Sequence, residues 1–222
     1  PYTGTNTYTK FNVASGKFNR SYNDFYKNAY GNNDEGSFGG FPDLCHANPY
    51  VQDWLWGRSD AVGKYYKNTM KFDGWRFDYV KGFGPWVVNQ WNANVGGFSI
   101  GEYWDANIGL LTNWVNNSGN TFTGTTTKSA TFDFSLYYIL ARAINNGNWF
   151  ELNNGGKMPG LAGTYGYADY AVTFVENHDT HEQDHIAFDV GAHYEQDALG
   201  AAVALSREGS PCSDVERKVA SG

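Results

Sequence analysis

In the stretch Gly74-Trp75-Arg76-Phe77-Asp78-Tyr79-Val80-Lys81-Gly82, an arginine and an aspartate stand two residues apart. Strand side chains alternate with period 2, so Arg76 and Asp78 project to one face if this stretch is extended. A guanidinium beside a carboxylate keeps it ionised and fixes its orientation, as a carboxylate nucleophile requires. The same pair also reads as a plain salt bridge at a strand end. Two further segments repeat the arrangement. Phe98-Ser99-Ile100-Gly101 runs into Glu102, and Ala171-Val172-Thr173-Phe174-Val175 runs into Glu176-Asn177-His178-Asp179. Three short apolar runs thus each deliver an acid at the C-terminal end.

The elements that must position these acids follow from hydrophobic spacing. Met70, Phe72, Trp75, Phe77 and Val80 are spaced as a short buried strand ahead of Asp78. Upstream, a helix is expected from Pro49 to about Asn68, with Val51, Trp54, Leu55, Val62, Tyr65 and Tyr66 as its buried stripe. Trp54 and Trp56 offer flat faces to a sugar, but core packing is the better account of them. Pro85 opens a helix reaching about Asn94. A helix from Asn107 to Val115 follows the second acid, and 116–130 is a polar loop. Thr131 to Phe134 is a strand candidate, with Asp133 as cap of a helix from Leu136 to Ile144. The Asn/Gly-rich stretch 145–170 is too long for a simple connection and suits a cleft rim. Ala198 to Leu205 is a last helix. Strands alternating with helices, with acids at successive strand ends, are the pattern of a (β/α)₈ barrel, which gathers its chemistry at that face.

GWRFDYVKG, GEYWD and FVENHD resemble three motifs of the α-amylase family of retaining glycoside hydrolases, and Phe41-Pro42-Asp43-Leu44 resembles a fourth. They occur in the family's order, between about residue 34 and residue 180. The resemblance implies an α/β fold, an incomplete TIM barrel holding about strands four to seven and the approach to the eighth at Arg207–Cys212. It further implies that 1–45 is part of an inserted calcium-binding loop domain, 46–212 the partial catalytic barrel and 213–222 an atypical tail. An internal piece of a longer protein is expected, inactive by itself. No Asp-x-x-x-Asn-His motif precedes residue 34, and Gly82 stands where many members carry His. Gly at that position marks a branch that includes plant and archaeal enzymes.

By the same resemblance Asp78 is the nucleophile, Glu102 the general acid and then base, and Asp179 a third carboxylate that holds sugar hydroxyls. Such enzymes place the first two carboxyls about 5–5.5 Å apart. Arg76, Lys81, His178 and Trp104 are the implied substrate contacts. Tyr103 and Trp104 would give Glu102 the apolar surroundings that suit a proton donor. As residues alone, His178 reads first as a satisfied strand-end histidine, and Lys81 reads equally as surface charge. The acidic, Gly-rich segment 34–43 reads by itself as a solvated turn. The resemblance makes Asp34, the Gly36 carbonyl, Asp43 and the Gly82 carbonyl ligands of calcium, which takes hard oxygen donors.

Composition narrows the partners. At 222 residues the chain can hold one sizeable core. A net charge of −7 without a basic run excludes nucleic acid and anionic membrane as natural partners. No apolar run is long enough to span a bilayer, which takes about 20 residues. Two cysteines, Cys45 and Cys212, define neither a disulfide framework nor a zinc site. The resemblance implies starch and malto-oligosaccharides as substrates, a monomeric full-length enzyme, and secretion. Its alternatives are a maltogenic, debranching or transglycosylating member, an inactive carbohydrate-binding relative, and a calcium-stabilised structural module.

Overall fold

A computed structural model describes residues 24–25, 43–119 and 124–180. The expected helix Ala198–Leu205, the approach Arg207–Cys212, the tail 213–222 and most of 1–42 lie outside the described residues. The chain divides into two compact units, Pro1–Glu102 with Asn116–Ser129, and Tyr103–Val115 with Ala130–Gly222.

In the first unit, helix α1 (Pro49–Gln52) begins where the Asn48 side chain accepts the Tyr50 N–H at 2.9 Å and Pro49 supplies a ready-made φ. The chain continues through a π-helical turn, Asp53–Gly57, and then Arg58 is extended. Helix α2 (Val62–Asn68) starts afresh. The single helix expected over 49–68 is therefore two. Gly57, Ser59 and Asp60 are poor helix-interior residues, and Arg58 instead bonds Asp60 at 2.9 Å. The break resets the helical phase, so the expected stripe fails in its second half. Val51 and Trp56 are buried, whereas Tyr65 and Tyr66 are exposed.

Strand β1 (Gly74–Phe77) pairs in parallel with β2 (Phe98–Gly101), Gly74 opposite Phe98 and Phe77 opposite Gly101. Met70 and Phe72 are not part of it. Their N–H groups bond back to the Tyr65 and Tyr66 carbonyls of α2, and their side chains are exposed. Helix α3 (Pro85–Asn94) connects the two strands, as expected. Trp56, Val87 and Trp91 form its core contacts, with Trp75, Phe77, Trp86 and Val95 packed around them. Trp91 meets Trp75 and Phe77 edge-on at 5.2 and 5.8 Å. Trp75 also donates its indole N–H to the Gly96 carbonyl at 2.7 Å, pinning the turn before β2. The buried Asn89 side chain bonds Ser118 O, Thr125 O and Thr125 N–H.

Helix α4 (Ile108–Asn117) buries Leu111, Trp114 and Val115, and its last two residues fall in the first unit. In the second unit, β3 (Ala130–Phe132) pairs in parallel with β4 (Ala171–Val172). Helix α5 (Phe134–Asn146) follows β3 directly and stops at Gly147, whose φ of 69° suits a residue without Cβ. Its start is two residues earlier than expected. β4 is shorter than the expected 171–175. Phe174 leaves the ladder and lies flat on Tyr137 at 5.0 Å, with Phe134 edge-on at 5.0 Å. Within each unit the order is strand, helix, parallel strand or strand, helix, long connection, parallel strand. The class is α/β.

Candidate active site

Register brings two of the candidate acids together. Phe77 faces Gly101, and the Glu102 N–H continues the ladder to the Phe77 carbonyl at 2.9 Å. Asp78 and Glu102 are therefore neighbours at the C-terminal ends of two parallel strands. Arg76 lies on the face that period 2 assigns it, and reaches both. One guanidinium nitrogen bonds Asp78 Oδ1 at 2.5 Å and the other bonds Glu102 Oε1 at 2.9 Å. The expected Arg76–Asp78 pair thus exists, and Glu102 is its third member. The planar fork of a guanidinium suits two acceptors at once.

The two acids differ in surroundings. The Asp78 side chain is 74% exposed, open to an incoming ligand, while that of Glu102 is 8% exposed. The second Glu102 oxygen accepts the Tyr79 backbone N–H at 3.0 Å. Both oxygens of Glu102 are therefore held, one by a side chain and one by the main chain. Nothing in the residue types around Tyr79 pointed to this donor, because it is a backbone group. Lys81 and Gly82 sit in the one-turn 3₁₀ segment Val80–Gly82, both half-buried.

The other candidates belong to the second unit. Trp104 is half-buried, stacked on Phe134 at 4.7 Å, and donates its indole N–H to the Tyr138 hydroxyl at 2.7 Å. Tyr103 faces Trp114 at 6.1 Å. Asp179 is not at the end of a strand but on a turn beyond β4. There it pairs with His178 at 3.0 Å, both side chains substantially exposed. The turn is made by Asn177, whose side-chain oxygen accepts the N–H groups of Asp179 and Thr180, each at 2.9 Å. Thr180 returns a hydroxyl to the Asn177 N–H at 2.8 Å and bonds Tyr137 on α5. Asn177 and Thr180 are positioning residues that the reading of the acids passed over. The signal was available, since Asn commonly bonds the backbone N–H two residues on.

Asp133 takes the structural role expected of it. Its buried carboxylate accepts the Leu136 N–H and the Ala162 N–H, each at 2.9 Å, so it caps α5 and fastens the 160–162 segment. Burial pushes this carboxyl above the usual range, against the lowering effect of its backbone donors at Leu161, Ala162 and Leu136.

Asp34 and Gly36, two of the four expected calcium ligands, lie outside the described residues. Asp43 and Gly82 are each half-buried. Among the described residues, no three His, Cys, Asp or Glu side chains cluster tightly enough to hold a metal ion by themselves. The expected set is different in kind, being two carboxylates and two carbonyls. Hard oxygen donors of that type fit calcium.

No protein-family model matches the chain. It is similar to alpha-amylase 3, chloroplastic, of Arabidopsis thaliana, with 30% identity over 203 residues, covering 82% of this chain and 20% of that protein. It is also similar to probable alpha-amylase 2 of the same plant, 31% identical over 194 residues, 79% of this chain and 42% of that one. Glucan 1,4-alpha-maltohexaosidase of Bacillus sp. (strain 707) is 27% identical over 152 residues, 66% of this chain and 27% of that one. The chain thus spans between a fifth and about two fifths of the length of these relatives.

Proposed function

This chain belongs to the α-amylase family, and from that premise we propose that it supplies the reacting acids of an enzyme that hydrolyses internal α-1,4-glucosidic bonds of starch with retention. The observation that carries the reading is Arg76, bonded at once to Asp78 and Glu102 beyond two parallel strand ends. The fold proposed for the whole protein is a closed (β/α)₈ barrel, to which these parallel strands contribute. Asp78, exposed and fixed by Arg76, attacks the anomeric carbon. Glu102 protonates the departing glycosidic oxygen, and a glycosyl–Asp78 ester forms. Glu102, now the base, takes a proton from water, which attacks the same carbon and restores Asp78. Asp179 and His178 bond the sugar's hydroxyls as the ring flattens toward the oxocarbenium-like transition state. Lys81 serves the leaving-group side, and Trp104 is a further substrate contact.

Calcium, when bound, would tie the segment containing Asp34, Gly36 and Asp43 to the Gly82 carbonyl, a structural link and no part of the reaction. Extracellular placement is our reading of where starch is met. The plant relative named for the chloroplast makes an organelle the other location to examine. No described helix is long and apolar enough to cross a membrane.

The test uses the protein at its natural length. On soluble starch or a malto-oligosaccharide, the first-formed reducing end, followed by NMR, is expected in the α configuration. Asp78→Asn and Glu102→Gln should each lower kcat by at least about 10²-fold, in line with the loss of acid–base or nucleophilic help. A β-configured product, or a variant with near-normal turnover, would remove the assigned roles.

A further inference from the structure

Tyr79 stands one residue past Asp78 with a left-handed backbone, φ 43° and ψ 52°. For a residue with a bulky side chain that region is sparsely populated, and such residues persist only where their surroundings hold them. Only one other non-glycine residue among those described, Lys71, has a positive φ. The surroundings that hold Tyr79 are identifiable. Its carbonyl accepts the Gly82 N–H at 2.9 Å, and its ring lies where a Gly82 side chain would be. A Cβ on Gly82 would come within 2.9 and 3.0 Å of two ring carbons. The outcome of the turn is the Tyr79 N–H donated to Glu102 Oε2 at 3.0 Å.

We infer that Tyr79 is a positioning residue for Glu102. The left-handed turn, with its ring seated over the bare Gly82, aims the one backbone donor that fixes which way the proton-transferring carboxyl faces. Arg76 alone holds only the other oxygen, about which the group would swing. The inference rests on the hydrolase reading above, because the orientation of Glu102 matters to rate only where it gives or takes a proton.

The test replaces Tyr79, in the protein at its natural length, by the matching α-hydroxy acid. That exchange removes the N–H and keeps the side chain. Two substrates are compared by kcat/KM, which reports the first step: a malto-oligosaccharide, and 2-chloro-4-nitrophenyl α-maltotrioside, whose leaving phenolate needs little protonation. The expected result is a loss of about 10–100-fold on the malto-oligosaccharide, as for a hydrogen bond to the charge that Glu102 acquires while its proton leaves. On the aryl glycoside the loss should stay within about threefold, since proton donation contributes little there. Tyr79→Gly keeps the N–H and enters the left-handed region freely, so it should preserve the ratio between the substrates. Tyr79→Val, β-branched and averse to that region, should reproduce the selective loss. Equal losses on both substrates, or none on either, in the hydroxy-acid protein would overturn the inference while leaving the hydrolase reading intact. An unsubstituted protein that cleaves neither substrate would overturn the hydrolase reading and this inference with it.

Discussion

Arg76 is the residue on which the candidate site turns, because one of its nitrogens serves Asp78, two residues on, and the other serves Glu102, 26 residues on. A lysine keeps the charge but presents a single compact ammonium, which does not span two acceptors in a fixed plane. Arg76→Lys is therefore expected to lower kcat by roughly 10–100-fold, on the reasoning that an ångström of misplacement can cost about 10²-fold. The melting temperature should move little, since the Asp78 end of the bridge is open to water and exposed ion pairs contribute about 0–1 kcal/mol. Steady-state kinetics on soluble starch beside a thermal melt would check both parts. Unchanged kcat would mean that the guanidinium does not align the acids. At the same scale, Asn177→Ala removes the acceptor of two backbone N–H groups beside Asp179. Weaker binding of malto-oligosaccharide, measured by calorimetry in an Asp78→Asn background, is the expected outcome; unaltered affinity would dissociate that turn from the sugar.

Elements are joined here by a few buried groups, and two of them give opposite lessons about local preference. Gly63 lies within α2, where alanine is better than glycine by about 1 kcal/mol. Yet a Cβ there would come within 2.7 Å of Val95 and 2.8 Å of Trp91, with the Leu55 carbonyl at 3.0 Å. Overpacking of this kind costs about 1–3 kcal/mol, so Gly63→Ala should lower stability in a urea melt despite the better helix former. A rise would show that Trp91 yields easily. Asp133 caps α5 and holds the Ala162 N–H from the long connection, with Gly160 leaving room for its carboxylate. Asparagine offers one acceptor oxygen and turns an NH₂ toward the remaining donor, so Asp133→Asn should cost about 1–3 kcal/mol. Burial raises this carboxyl in the folded state. Its contribution is then fully present below the ordinary carboxylate range and declines as pH rises through the raised folded value. The gap between wild type and Asp133→Asn should accordingly narrow from acid to neutral pH in urea melts; a gap that widens would reverse the assigned shift.

For the whole molecule, the prediction concerns the ion. A ligand that binds only the folded state stabilises it by mass action, by about 2.7 kcal/mol at a hundredfold excess over its dissociation constant. If Asp34, Gly36, Asp43 and Gly82 hold calcium, excess EGTA lowers the melting temperature of the natural-length protein, and added calcium restores it. Asp43→Ala should blunt that response, while Asp60→Ala, at the Arg58 bridge outside the proposed ligand set, should not. An identical melt with and without EGTA would sink the calcium assignment. This 222-residue chain carries a net charge of −7, but an uncharged glucan releases no counterions, so any salt dependence of starch binding should be slight.

Much of the site was legible in the linear sequence because its cues are local. An apolar run that ends in an acid marked the strand ends at Asp78 and Glu102, whereas the third run held only the two-residue β4 and left Asp179 on a turn beyond it. Pro85 announced α3 and Asp133 announced α5, since a fixed φ and a short side-chain acceptor act within one turn of where they stand. The pairing of Arg76 with Asp78 followed from period 2 alone. That Arg76 also holds Glu102 did not, because it depends on Phe77 lying opposite Gly101, a register set by packing between strands far apart in sequence. The break at Arg58 exposed Tyr65 and Tyr66 by shifting a helical phase that spacing had carried on unbroken. Phe174 lies past the end of β4, stacked on Tyr137 from another element. The left-handed turn at Tyr79 was invisible for the same reason. A residue's φ answers to the acceptor and the space that other segments offer it, and only the folded chain brings Glu102 and Gly82 to that residue.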